Sequence, residues 1–180
     1  MKLIVWLGNP WNEYKKTRHN IWFIAIDFLL EILSPTNNFS YDNKYNADIS
    51  KIQIEWEEYI FCKPMTFMNK SWEPVSKIIN FFKIPTKDIL VFHDDIDLDT
   101  ARLQIKFWWS SAGHNWLKNI IEKIWTKDFR RIRLGINRPE NQKDVADYVL
   151  SNFRKEELDQ MLDDENKEKI IELTNKFMKE

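Results

Sequence analysis

The chain of 180 residues has one cysteine, Cys62, and only 3 glycines. A lone thiol forms no internal disulfide and no thiol-rich metal site, so the chain is expected to work in a reducing cytoplasm. No apolar run approaches the roughly 18–20 residues that cross a bilayer, and no membrane partner is expected. Met1-Lys2-Leu3-Ile4-Val5 runs straight into polar Asn9 and Asn12, which leaves no signal-peptide core. GxxxxGK[ST] and GxGxxG are absent, so nucleotide-dependent chemistry has no footing. Ser110-Ser111 lacks the G-x-S-x-G context of a serine hydrolase. Repeats, low-complexity tracts and Pro/Gly/Ser linkers are also missing, and one domain over residues 1–180 is expected.

The glycine shortage is abnormal. At the usual share of about 7%, a domain of this length carries about 13. Tryptophan, by contrast, occurs 9 times. Several tryptophans stand in turn-like contexts: Asn9-Pro10-Trp11-Asn12, Lys70-Ser71-Trp72-Glu73 and Phe107-Trp108-Trp109-Ser110. Turns that need a positive φ ask for glycine and not for a bulky indole.

Apolar runs and periodicity predict strands at 2–7, 88–92, 103–107 and 131–136, and a hairpin over 45–64. Ile21, Ile24, Phe28 and Ile32 predict a helix over 20–33. Val75, Ile78, Ile79 and Phe82, with Pro74 in the first turn, predict another over 69–82. Further helices are expected at 115–124 and along a C-terminal stripe from Leu158 to Phe177. Strands interleaved with helices mean an α/β fold, a three-layer sandwich with a mixed, mostly parallel twisted sheet and helices on both faces. In such sheets sites form at strand C-terminal ends, where Asn9 and Asp94 both fall.

The net charge of −1 hides a division. Between Thr100 and Glu140 nine cations face three anions; from Asn141 onward seven cations face eleven anions. Lys15, Lys16 and Arg18 add a second basic cluster. Any one of these residues reads most simply as part of a solvated face. Together, a basic stripe offset by an acidic terminal helix is what a phosphate-backbone binder needs.

There are three histidines, His19, His93 and His114, each beside a polar partner. A lone histidine is more often a structural residue than a catalyst. His19 is the best candidate because it follows a Gly-Asn-Pro turn and precedes a helix, where it can act as a general base near neutrality. Such a base needs an orienting carboxylate, and Asp94 at the end of a central strand can supply it. Asn9, Asn69 and Asn115 are ordinary turn or capping residues taken singly. As a set they offer both donors and acceptors to a carbonyl and an amide. Asp95-Ile96-Asp97-Leu98-Asp99 begins like a calcium loop, but Thr100 and Lys106 stand where Gly and Glu are required. A zinc site from His19, His93, Asp94 and His114 has no paired-ligand spacing behind it.

Four ordered motifs carry a resemblance. Leu7-Gly8-Asn9-Pro10-Trp11-x-x-Tyr14-x-x-Thr17-Arg18-His19-Asn20 resembles the opening motif of the bacterial peptidyl-tRNA hydrolase family. Lys63-Pro64-Met65-Thr66-Phe67-Met68-Asn69-x-Ser71 resembles its second motif. His93-Asp94-Asp95-Ile96-Asp97-Leu98 and Gly113-His114-Asn115-Trp116-Leu117 resemble the third and fourth, and the Arg131-x-Arg133-x-Gly135-Ile136 strand also fits. The likeness runs from about residue 2 to about residue 178.

The resemblance implies hydrolysis of the ester joining a peptide to the 3′ ribose of tRNA, without cofactor or metal, by a cytoplasmic monomer. It implies His19 as the base that activates water, Asp94 as its orienting acid, and Asn9 as the reader of the blocked α-amino group. Asn69 and Asn115 would orient peptide and water, and Tyr14 and Phe67 would line the site near the tRNA 3′ end. Lys106 and Arg133 match positions that bind tRNA phosphates along the acceptor stem. The rival expectation is a catalytically impaired RNA-binding protein of the same fold.

Trp6, Trp11, Trp22, Trp72, Trp108, Trp109 and Trp116 all fall where the family pattern has glycine, while Trp56 and Trp125 fall in turns where glycine is ordinary. This coincidence predicts that a stop-type codon such as UGA is decoded as glycine in the source organism, and that glycine stands at these positions in the native protein.

Overall fold

The computed structural model describes residues 1–106, 129–139 and 145–180. Within them seven strands form one sheet: β1 (Lys2–Trp6), β2 (Ser40–Asp42), β3 (Ala47–Ile54), β4 (Glu57–Pro64), β5 (Ile89–Asp95), β6 (Leu103–Lys106) and β7 (Arg130–Gly135). Their order is β2-β3-β4-β1-β5-β7-β6. The central strands β4, β1, β5 and β7 run parallel, and the edges β2, β3 and β6 pair antiparallel. The helices are α1 (Ile21–Leu33), α2 (Trp72–Phe82), α3 (Val145–Leu150), α4 (Lys155–Met161) and α5 (Asp164–Lys179).

Alternation along the central strands builds a core on each face. Ile4 of β1 and Leu90 and Phe92 of β5 pack toward α1 and α5, meeting Ala25, Ile26, Leu29, Ile170 and Phe177. Leu3 and Val5 of β1 and Ile89 and Val91 of β5 pack with Val75 and Ile78 of α2. This is the expected mixed sheet with helices on both faces.

Several boundaries differ from expectation. The 20–33 helix begins at Ile21, behind a 3-10 turn at Arg18–Asn20. The 69–82 helix begins at Trp72, behind a 3-10 turn at Met68–Lys70. The strand expected to stop at 92 continues through Asp95, because β7 pairs with it as far as Asp95↔Gly135. The C-terminal stripe is broken in two at Asp163, whose side chain accepts from Asn166 N at 2.8 Å and caps α5. The short β2 and α3 escaped the periodicity. The helix expected at 115–124 lies outside the described residues.

The described tryptophans occupy unlike places. Trp6 and Trp22 are fully buried in the α1-side core. The Trp22 indole Nε1 has no hydrogen-bond partner among the described residues. An orphaned buried donor costs about 1–3 kcal/mol, a penalty that glycine there does not incur. Trp56 is 97% exposed in the two-residue turn between β3 and β4, beside Glu55 at φ 55°.

Candidate active site

Three turns meet over the C-terminal end of the sheet. The first continues β1: Leu7 N donates to Phe92 O at 3.1 Å and holds the Gly8-Asn9 segment on the sheet. Gly8 has no room for a side chain, since a Cβ there would lie 2.7 Å from the Phe23 ring. The second and third are the 3-10 turns Arg18–Asn20 and Met68–Lys70.

Two buried asparagines join these turns. Asn20 Oδ1 accepts from Asn9 N at 2.8 Å, and Asn20 Nδ2 donates to Asn9 O at 2.7 Å. Asn9 Oδ1 in turn accepts from Met68 N at 3.0 Å. The Asn9 carboxamide is therefore oriented by its oxygen, and its Nδ2 is the donor left for another group.

His19 Nδ1 lies 2.8 Å from Asp94 Oδ2. A carboxylate only accepts, so Nδ1 is the donor of this contact, and in the neutral ring Nε2 is then the acceptor. The His19 side chain is 16% exposed and that of Asp94 1%. The acid is thus sealed beneath the ring while the ring reaches the surface. Asp94 Oδ1 is buried without a partner among the described residues.

An aromatic rim flanks the Asn9 turn, its Phe67 next to the Met68 that donates to Asn9. The Trp11 ring lies 4.1 Å from the half-exposed Phe67 ring and 6.3 Å from the Tyr14 ring, centroid to centroid. Trp11 fills the slot between them, and a glycine at position 11 leaves that slot open. Asn69 is exposed next to Met68. Asn115 and its neighbour His114 lie outside the described residues.

The basic stripe looks different in space than along the chain. Arg133 sits opposite His93 in the β5–β7 ladder. Its guanidinium donates to buried Asp95 Oδ2 at 2.7 Å and also to Gln104 Oε1. Arg138 donates to Asp97, Arg102 pairs with Asp99 at 3.9 Å, and Arg130 pairs with Glu180. Acids of the 95–99 segment and the C-terminal Glu180 thus pair with four of the described cations of this stretch, while Lys118, Lys123 and Lys127 lie outside the described residues. Arg131 is buried, and that burial, with Arg133 close by, lowers its pKa from the usual guanidinium value. Lys106 ends β6, opposite Arg131.

Two contributors flank His19 in the opening motif without being read from the sequence as part of the site. One is Asn20. The other is Arg18, which is buried and forms a two-pronged pair with Glu157 at 2.8 and 2.9 Å. Burial raises the Glu157 pKa, but hydrogen bonds from Arg154 and Arg18 outweigh it and leave the group below the usual carboxylate value. Among the described residues, no three His, Cys, Asp or Glu side chains converge as metal ligands.

A family model described as peptidyl-tRNA hydrolase matches residues 3–180. The peptidyl-tRNA hydrolase of Mycoplasma capricolum is 47% identical over 161 residues, covering 88% of this chain and 83% of that protein. That of Bdellovibrio bacteriovorus is 46% identical over 168 residues, covering 93% and 88%. The crystal structure of peptidyl-tRNA hydrolase from Acinetobacter baumannii superposes with a TM-score of 0.83 at 32% identity, covering 89% of this chain and 81% of that one. With nearly the whole length matched in both sequence and fold, the chain belongs to the peptidyl-tRNA hydrolase family.

Proposed function

We propose that the chain hydrolyses the ester joining a peptide, or an N-blocked aminoacyl group, to the 3′ end of tRNA, and so frees the tRNA for reuse. The observation that carries this reading is the 2.8 Å contact between His19 Nδ1 and Asp94 Oδ2, at the strand ends beside the Asn9 turn.

In this reading Nε2 of His19 takes a proton from water as the water oxygen attacks the ester carbonyl. The carbonyl electron pair moves onto oxygen, then returns as the bond to the 3′ oxygen breaks. The imidazolium gives its proton to that departing oxygen. Asp94 fixes the tautomer and offsets the positive ring without being protonated itself. A ribose hydroxyl is a far better leaving group than an amine, so a positioned base with donors at the developing oxyanion suffices, without covalent intermediate or metal.

Asn9 Nδ2 is assigned to the acyl carbonyl that marks a blocked α-amino group. Asn69 and Asn115 orient peptide and water, while Tyr14 and Phe67 pack against the 3′ end. Lys106 and Arg133 face acceptor-stem phosphates; for Arg133 a phosphate has to compete with Asp95. The reading includes one domain over residues 1–180, acting as a monomer in the cytoplasm.

The test uses protein with glycine at the nine tryptophan positions, given N-acetyl-aminoacyl-tRNA and the unblocked form. Only the first should be deacylated, in excess EDTA as well as without it. His19→Ala should abolish turnover while tRNA binding persists. Equal cleavage of both substrates, or a His19→Ala protein of normal rate, overturns the reading.

A further inference from the structure

We infer that Arg18 is a positioning residue for His19, acting with Glu157 and Tyr148 to set the spacing between the imidazole and Asp94. The inference rests on His19 being the base. Its support is a closed circuit of contacts through α3 and the start of α4.

On one side the circuit reaches His19. The guanidinium of Arg18 donates from one nitrogen to both carboxylate oxygens of Glu157 and from the other to Ser151 Oγ at 2.7 Å and Asn152 O at 2.8 Å. It also lies over the Tyr148 ring at 4.6 Å and near the Phe153 ring at 5.3 Å. The backbone repeats the tie: Arg18 N donates to Ser151 O at 3.0 Å, and Phe153 N donates to Lys16 O at 3.0 Å. Planar forked donors of this kind fix orientation as well as distance.

On the other side the circuit reaches Asp94. Tyr148 Oη donates to Ile136 O at 2.5 Å, and Ile136 N donates to Asp95 O at 3.0 Å. Tyr148 thus meets the guanidinium of the residue before His19 with its ring and, through two hydrogen bonds, ties to the residue after Asp94. Asn20 anchors the other flank of His19 to the Asn9 turn. The ring is left to face its acid with both neighbours pinned. A part-buried ion pair such as this one is weak evidence for stability. A role in geometry accounts for its being built so completely.

The experiment compares Glu157→Gln, Tyr148→Phe and Arg18→Met with the parent protein in the glycine form, using N-acetyl-aminoacyl-tRNA well below each melting temperature. Glu157→Gln keeps volume and one acceptor; Tyr148→Phe keeps the ring under Arg18 and deletes only the bond to Ile136. Displacements on the order of 1 Å cost about a hundredfold in rate. Arg18→Met is therefore expected to lose about that much kcat and the two milder variants about tenfold, with KM within about twofold of the parent. Should Arg18→Met fail to fold, the milder pair decides. Folded Glu157→Gln and Tyr148→Phe proteins with parental kcat overturn the inference, as does a loss of kcat that only tracks the unfolded fraction. His19→Ala in the same assay separates the two readings: a parental rate there refutes the base, whereas a dead His19→Ala beside parental clamp variants refutes the clamp alone.

Discussion

Replacing Asn20 by alanine removes two hydrogen bonds from a single residue, both to the backbone of Asn9 and both in buried surroundings. Each orphaned backbone group costs about 1–3 kcal/mol. Water entering the space left by the carboxamide can recover part of that, so the expected loss lies near 3 kcal/mol, in the lower half of the range for two orphans. Against a typical domain stability of about 5–15 kcal/mol the protein stays folded. With a urea slope of about 2 kcal/mol per molar, the unfolding midpoint should fall by about 1.5 M. Turnover of N-acetyl-aminoacyl-tRNA, measured on the same samples in buffer, should fall as well, because Asn9 then loses the register that sets its link to Met68 N. An Asn20→Ala midpoint within about 0.3 M of the parent would mean that the Asn9 turn holds its own shape, and the reasoning fails.

Gly135→Ala places a Cβ 2.0 Å from Asp99 O and 2.7 Å from Leu98 Cβ, so backbone must move; a loss above about 3 kcal/mol should appear in a thermal melt, and an unchanged melting point counts against the described packing. Glu157 has a folded pKa below its ordinary 4.5, so its contribution is complete above that value and disappears as pH falls through the lower folded one. The stability gap between the parent and Glu157→Gln should therefore be full at neutral pH and close below about pH 4.5 in urea titrations; a gap that persists in acid contradicts the pairing. Peptide mass spectrometry of protein taken from its source organism should find glycine at position 11 and at the other eight tryptophan positions, and tryptophan at 11 would refute the recoding.

The sheet's middle was readable because β1 and β5 alternate between two cores, which gives each a signature of apolar residues on both faces. The His19–Asp94 pair was readable for a related reason: His19 stands just ahead of a recognisable helix and Asp94 at the end of a recognisable strand. What escaped notice is what depends on distant chain. Arg18 reads as one more surface cation until Glu157, 139 residues away, comes to meet it. Arg133 reads as an unpaired cation until β7 aligns with β5 and sets it against Asp95. Charge counted along a segment says nothing about acids that folding brings from elsewhere. The two 3-10 turns ahead of α1 and α2 were hidden because Arg18-His19-Asn20 and Met68-Asn69-Lys70 are polar apart from Met68 and carry no apolar period of their own.

The end of β5 carries identical neighbours with opposite duties: Asp94 turns toward His19 and Asp95 toward Arg133. Chemically the two are interchangeable, and nothing in either side chain selects its task. The choice is made upstream, where Leu90 and Phe92 go to one core and Ile89 and Val91 to the other. A slip of one residue against β1 and β7 would swap the aspartates, handing the imidazole an acid taken from the salt link and leaving the arginine with the other. Which aspartate faces the imidazole is thus written in four aliphatic and aromatic side chains of the interior, and damage there is expected to part His19 from Asp94 before the fold is lost.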